Sequence, residues 1–153
     1  MVYLLALVIS IIAGLRTMTA LAAMSWAAYL GYINLGESWL AFMGYRFTPW
    51  ILSVLALGEF VTDQLPFTPS RKVPIQFGAR LVSGALSGAM VGVNGGTLLG
   101  GLVAGLVGAV IGTMGGAAVR SRLAKAFGRD LPAALIEDAI AIIGAILVVG
   151  MLR

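Results

Sequence analysis

There is no cysteine and no histidine in the 153 residues. Their absence excludes disulfides, thiolate and imidazole metal sites, haem ligation through histidine, the usual zinc hydrolases and any nucleophile activated by a histidine base. Charge is scarce too: 10% of residues are Asp, Glu, Lys or Arg, 60% are hydrophobic, and the mean hydropathy is +1.03. So little polar side-chain material cannot cover a water-soluble globule, and the composition predicts an integral membrane protein. The opening residues, Met1 to Val8, are apolar with no preceding Lys or Arg cluster and lead into a long span. They predict a retained helix, no cleaved signal and no soluble domain, so that residues 1–153 form one integral membrane domain.

What the chain has in abundance is glycine. Thirteen of its twenty-one glycines fall between Gly78 and Gly116, many at a spacing of four. In water each helix-interior glycine costs about 0.8 to 1.0 kcal/mol relative to alanine. In lipid the backbone must satisfy itself, so the helix persists and the missing side chains become a groove for a neighbour. Gly84, Gly88, Gly92, Gly101, Gly105, Gly108 and Gly112 are therefore expected to pack helices closely.

Five stretches approach the roughly 17 to 25 residues that a span requires: residues 3–30, 49–65, 75–93, 97–119 and 132–152. The fold expected is an all-α, polytopic transmembrane bundle of about five spans. The first is overlong and carries Gly14-Leu15-Arg16-Thr17-Met18-Thr19 at its middle, where a tilt, kink or split into half-helices is expected. Thr48-Pro49 and Asp130-Leu131-Pro132 read as helix starts, and Asn94-Gly95-Gly96 as a tight turn that makes spans three and four a glycine-lined antiparallel hairpin.

With five crossings, one side would hold the N-terminus and Arg71, Lys72, Arg120, Arg122, Lys125 and Arg129, against Arg46 and Arg153 on the other. That asymmetry predicts a bacterial inner-membrane protein with a cytoplasmic N-terminus. Arg71, Lys72, Arg120, Arg122 and Lys125 are candidates for contact with anionic lipid. The opposite side carries Trp26, Tyr29, Tyr32, Trp39, Phe42, Tyr45, Phe47 and Trp50, an aromatic belt around a short amphipathic segment over residues 36–47. Nothing soluble could present the basic surface with stacking aromatics that nucleic acid requires, and none is expected as a partner.

Topology leaves Arg16, Glu59, Asp63, Arg80, Glu137 and Asp138 unexplained, since all lie inside spans. A charge at the bilayer centre costs about 2.5 to 3.5 kcal/mol on insertion scales, so such groups pair, face a cavity or sit near an interface. At 1.5 Å per residue, Glu59, Arg80 and Glu137 each lie roughly 8 to 9 Å from one membrane face, with Arg16 about 20 Å along span one. Glu59 and Asp63 share a helix face and would repel unless a cation, an arginine or a proton intervened; Arg80 is the arginine nearest in depth and Arg16 second. Glu137 and Asp138, being adjacent, are expected to diverge, one into a pocket and one toward the headgroups. Thr17, Thr19, Thr62 and Gln64 are near enough to contribute uncharged polar groups.

Gly14-Leu15-Arg16 and Gly78-Ala79-Arg80 each open a small-residue stretch that is followed later by a glutamate, Glu59 or Glu137, which suggests an internal repeat. The same residues, with Glu59-x-x-x-Asp63-Gln64-Leu65-Pro66 and Thr68-Pro69-Ser70-Arg71, resemble the bacterial membrane family called domain of unknown function 4126. The resemblance covers most of the chain and implies a small polytopic inner-membrane protein without implying an activity. Members often carry a lysine after the aspartate, where this chain has Gln64, and a longer linker before the glycine hairpin, so no lysine role carries over.

Two functions follow as expectations. One is a small channel or transporter, homo-oligomeric, that moves an ion, a proton or a small polar solute past Arg16, Glu59, Asp63, Arg80, Glu137 and Asp138. The other is a non-transporting scaffold or a binder of lipid or another hydrophobic molecule. Acids alone do not make a catalyst, so no enzyme activity, catalytic residue, metal site or cofactor is assigned.

Overall fold

The computed structural model describes residues 1–36, 38–62, 74–95 and 97–153, and among them every regular element is a helix. In chain order these are α1 (Val2–Leu15), α2 (Thr17–Tyr29), a short 3-10 helix (Trp39–Gly44), α3 (Thr48–Thr62), α4 (Pro74–Gly95), α5 (Leu98–Phe127) and α6 (Asp130–Leu152). Asp63, Gln64, Arg71 and Lys72 lie outside the described residues, as do Glu37 and Gly96. Two helices, α5 and α6, are long and apolar enough to cross a membrane, with mean hydropathies of 2.0 and 2.3. α1 and α3 are apolar but shorter.

The overlong first stretch is split. Arg16 is extended, with φ −142° and ψ 105°, and it ends α1 and begins α2 without an intervening loop. Contacts on either side show that the two helices fold back on each other. Along α1, Val2 meets Gly95 and Ser10 bonds the Gly84 carbonyl, so α1 descends while α4 rises. Along α2 the order reverses: Arg16 at its start pairs with Asp138 and Tyr32 beyond its end lies beside Arg153, so α2 rises beside α6. Arg16 is thus the tip of a helical hairpin whose legs are each about 20 Å long.

Every later helix also reverses its predecessor. α3 runs back down α2, from the edge-to-face contact of Trp26 with Trp50 at 5.1 Å to Glu59 beside Thr17. α4 rises, α5 descends and α6 rises. One end of the bundle therefore holds the N-terminus, the 3-10 helix, the α4–α5 turn and Arg153, which lies 6.0 Å from the Tyr32 ring centre. The other holds the tip at Arg16 and the α5–α6 turn, where Gly128 closes α5 with a left-handed φ of 72°. These are called the aromatic end and the basic end below.

This arrangement corrects two expectations. The N-terminus does not share an end with residues 120–131, because residues 3–30 turn back at Arg16 instead of crossing once. The basic segment after residue 119 is not a loop either: α5 continues through Arg120, Arg122 and Lys125 to Phe127.

The glycines set the spacing of α1, α4 and α5. A Cβ added to Gly84 would lie 2.5 Å from the Ala109 Cβ, and one on Gly108 would lie 2.5 Å from the Leu7 carbonyl oxygen. Added carbons at Gly88, Gly92, Gly101, Gly105 and Gly112 would likewise strike the facing backbone, at Gly101, Thr97, Gly88, Gly84 and Ile11 respectively. Each of the seven is consumed within the chain. Outside this seam the usual distribution is inverted: the core is rich in alanine, glycine and serine, while Leu99, Val103, Ile111, Ile143, Ile146 and Leu147 face outward. Soluble proteins seldom expose so much contiguous apolar surface.

Candidate functional site

A helix interrupted away from water leaves carbonyls at the end of one segment and N–H groups at the start of the next without intrahelical partners. At Arg16 both sets are met by side chains from other helices. Nη1 of Arg80, on α4, donates to the carbonyl oxygens of Gly14 at 2.7 Å and Leu15 at 2.8 Å. The carboxylate of Glu59, on α3, accepts from the backbone N–H of Thr17 at 2.9 Å and of Met18 at 2.8 Å. The signs are those a helix dipole favours, a cation at the C-terminus of α1 and an anion at the N-terminus of α2.

Arg16 itself is completely buried. Its Nε donates to Oδ1 of Asp138 at 2.6 Å, its Nη2 pairs with the same oxygen, and its guanidinium carbon lies 5.6 Å from the centre of the Phe60 ring. Burial at such a depth is costly for an arginine unless a charge and hydrogen bonds compensate it, and Asp138 supplies both. Three polar hydroxyls complete the surroundings of the break. Ser83 donates to the Thr17 carbonyl at 2.8 Å, Ser10 to the Gly84 carbonyl at 2.8 Å, and Thr113 reaches the Gly14 carbonyl at 3.4 Å.

Glu137 and Asp138 do not divide between pocket and headgroups, since both are buried. Consecutive residues on a helix point about 100° apart, and here each direction meets a different helix. Asp138 turns to Arg16 and Glu137 to Arg120 of α5, at 3.9 Å. Arg120 also donates to Asp130, at 3.1 and 2.6 Å. It is therefore engaged by carboxylates and partly buried, whereas Arg122 and Lys125 are exposed.

Of the six charged candidates, the structure brings Arg16, Glu59, Arg80 and Asp138 to the hairpin tip and sets Glu137 on the side of α6 that meets α5. Asp63 falls outside the described residues. Glu59 was expected to look toward an arginine and looks instead toward backbone amides. Nor do the two Gly-x-Arg segments occupy equivalent places. Gly14 and Arg16 sit at the break between α1 and α2, whereas Gly78 and Arg80 lie inside the continuous α4. The segments meet instead, through Arg80 and the Gly14 carbonyl.

The sequence reading passed over Phe60, Ser10, Ser83 and Thr113. The recurrence of Ser83 and Ser87 three and seven residues after Arg80 was the available signal, a polar stripe on one face of a glycine-rich helix. Thr19, near the break, has a buried hydroxyl with no hydrogen-bond partner among the described residues. Its natural acceptor four residues back is the Leu15 carbonyl, which belongs to α1 and is held by Arg80.

Two apolar cavities flank the tip. One of about 280 Å³ lies among α1, α5 and α6, lined by Ile11, Leu15, Ile111, Ile136 and Ile140 with Arg120 and Glu137 at its edge. The other, of about 270 Å³, separates α2 from α6 beside Thr19 and Trp26. Comparison with known proteins adds nothing to this geometry: no family model, curated protein or solved structure matches the chain.

Proposed function

We propose that the protein is a small membrane channel or transporter for an ion, a proton or a small polar solute, with the Arg16 tip as the inner part of its pathway. The observation that carries this reading is the broken helix whose exposed backbone groups are held by Arg80 and Glu59. Irregular backbone at membrane depth is tolerated where protein buries it or where it lines a cavity, and transporters use interrupted helices to bind solutes at such points. The outward-facing apolar surface supports a membrane setting. The basic end faces the cytoplasm in this reading, because Arg120, Arg122, Lys125 and Arg129 gather there and Arg46 and Arg153 lie at the other end. Both termini then face outward, which reverses the side expected for the N-terminus with five crossings and keeps that of Arg153.

Self-association belongs to the proposal. Gly58, Gly115 and Gly150 have open space where a side chain would be, and lipid-facing glycines allow helices of neighbouring copies to approach. Membership of the domain of unknown function 4126 family is likewise proposed on the motifs around Arg16, Glu59 and Arg80.

The test is flux through reconstituted liposomes, assayed for protons, monovalent cations and small uncharged solutes. Flux above that of empty vesicles, reduced by Glu59→Gln and Arg80→Gln, is the expected result. Protein that gives no flux under any of these gradients overturns it.

A second reading has its own support in the apolar cavity of about 280 Å³ edged by Arg120 and Glu137. A lipid chain or similar hydrophobic molecule fits such a lining, with its head at the charged edge. Native mass spectrometry after gentle extraction distinguishes the two, since a lipid retained at fixed stoichiometry favours binding over transport.

A further inference from the structure

Arg80, Ser83 and Ser87 follow one another along α4 at spacings of three and four, so they share one face of the helix. That face looks onto the α1–α2 hairpin. Arg80 bonds the Gly14 and Leu15 carbonyls there, and Ser83 bonds the Thr17 carbonyl. Ser87 is different. It is fully buried, and its hydroxyl has no hydrogen-bond partner among the described residues. Buried hydroxyls in folded proteins are paired as a rule, and an orphan calls for a polar neighbour such as water.

The register defines what lies above it. α2 and α4 run in the same direction, and the Ser83–Thr17 hydrogen bond aligns them. Ser87 is then level with Leu21, four residues and about 6 Å beyond the bonded pair, and Met90 with Met24, seven residues and about 10 Å beyond it. Both methionines are fully buried and belong to the same apolar core as Leu5, Ala6 and Ile9. Methionine is unbranched and repacks readily, which suits a plug that opens. Below Ser87, by contrast, the contact between α4 and the hairpin carries the Ser10 and Ser83 hydroxyls and the Arg80 guanidinium, down to Arg16 and Asp138.

We propose that Ser87 is the innermost polar contact of a vestibule that opens at the charged tip and is closed on the aromatic side by Met24 and Met90. The species it meets is water or a small uncharged solute with hydrogen-bonding groups. A bare metal cation would need several oxygen ligands, and the described carboxylates all lie at or below the level of Arg16. The vestibule takes its purpose from the transport reading above, but its test does not depend on flux.

Because the chain has no cysteine, single-cysteine variants report without background. Ser87→Cys and the equally buried Ala89→Cys are placed in vesicles and treated with 2-aminoethyl methanethiosulfonate, with a thiol scavenger on the far side. Lys125→Cys identifies the basic side. The expected result is that Ser87→Cys reacts at least tenfold faster than Ala89→Cys from the basic side and no faster than it from the other. Adding Met90→Ala to Ser87→Cys should admit the reagent from the aromatic side as well. Equal rates for Ser87→Cys and Ala89→Cys, or reaction from the aromatic side alone, overturn the vestibule. Labelling without flux in liposomes would overturn transport and leave the vestibule, whereas flux with an unreactive Ser87→Cys would do the opposite.

Discussion

Arg80 holds the carbonyl of Gly14 at 2.7 Å although the two residues are 66 positions apart in the chain. Through that bond α4 caps the C-terminal end of α1, where a break would otherwise leave buried acceptors unpaired. Hydrogen bonds to charged groups contribute about 1.5 to 3 kcal/mol each. Arg80→Met, which removes two such bonds, should therefore lower the stability of the detergent-solubilised protein by about 3 to 6 kcal/mol on that scale. Arg80→Lys should recover part of the loss, because an ammonium keeps the charge without the planar fork that reaches two carbonyls. Thermal unfolding followed by circular dichroism measures both, and equal losses would count against a capping role.

Glu59 performs the complementary task for α2. Its two carboxylate oxygens accept separately from Thr17 and Met18, so Glu59→Gln leaves a single carbonyl oxygen for two amides. A loss of about 1 to 2 kcal/mol is expected, typical of removing an N-terminal cap. Hydrogen exchange should rise first at the amides of Thr17 and Met18. Uniform exchange over the whole of α2 would point to a global effect instead.

For Arg16 and Asp138 the single and double variants should differ in kind. Arg16→Met strands a buried carboxylate and should cost about 3 to 5 kcal/mol, whereas Arg16→Met with Asp138→Leu removes both charges and should restore most of that. If the double variant is as unstable as the single one, the arginine matters through its packing on Phe60 more than through its charge.

The charged layer was legible in the sequence because a membrane chain has so few ionisable residues that each inside a span requires a reason. Hydropathy located α3, α4, α5 and α6 to within a few residues, apart from the basic continuation of α5. What it could not see was the reversal at Arg16. A straight span and a hairpin of the same 27 or so residues have the same composition, and only contacts far along the chain, with Gly84, Asp138 and Val149, separate them. Glu59 was misread for a related reason: helix spacing pairs side chains with side chains, and the partners here are backbone amides that exist only because the helix is broken.

That reversal changes the topology that experiment should find. Cysteines introduced at Val2 and Arg153 should react with an impermeant maleimide on the same side of the membrane, and Lys125→Cys on the opposite side. A result with Val2→Cys and Lys125→Cys on one side would restore a single crossing by residues 3–30 and exclude the hairpin.

Glycine substitutions should divide sharply by position. Gly112→Ala and Gly101→Ala drive a methyl into the backbone of Ile11 and Gly88 and should abolish a monodisperse fold. Gly58→Ala meets open space within the subunit and should leave a monodisperse fold, with any change confined to self-association. Size-exclusion profiles of the three variants suffice to compare them.

The glycine seam also has a mechanical consequence. Helices whose backbones touch cannot slide or tilt past one another without a collision, so α1, α4 and α5 must behave as a single stiff frame. α3 is attached differently, with its main contacts to α2 and to the 3-10 helix and with only Pro49 and Ala56 buried. If any part of this molecule swings while the rest stays still, the lever is α2 with α3, its fulcrum is Arg16, and Glu59 is the latch that must release before it moves.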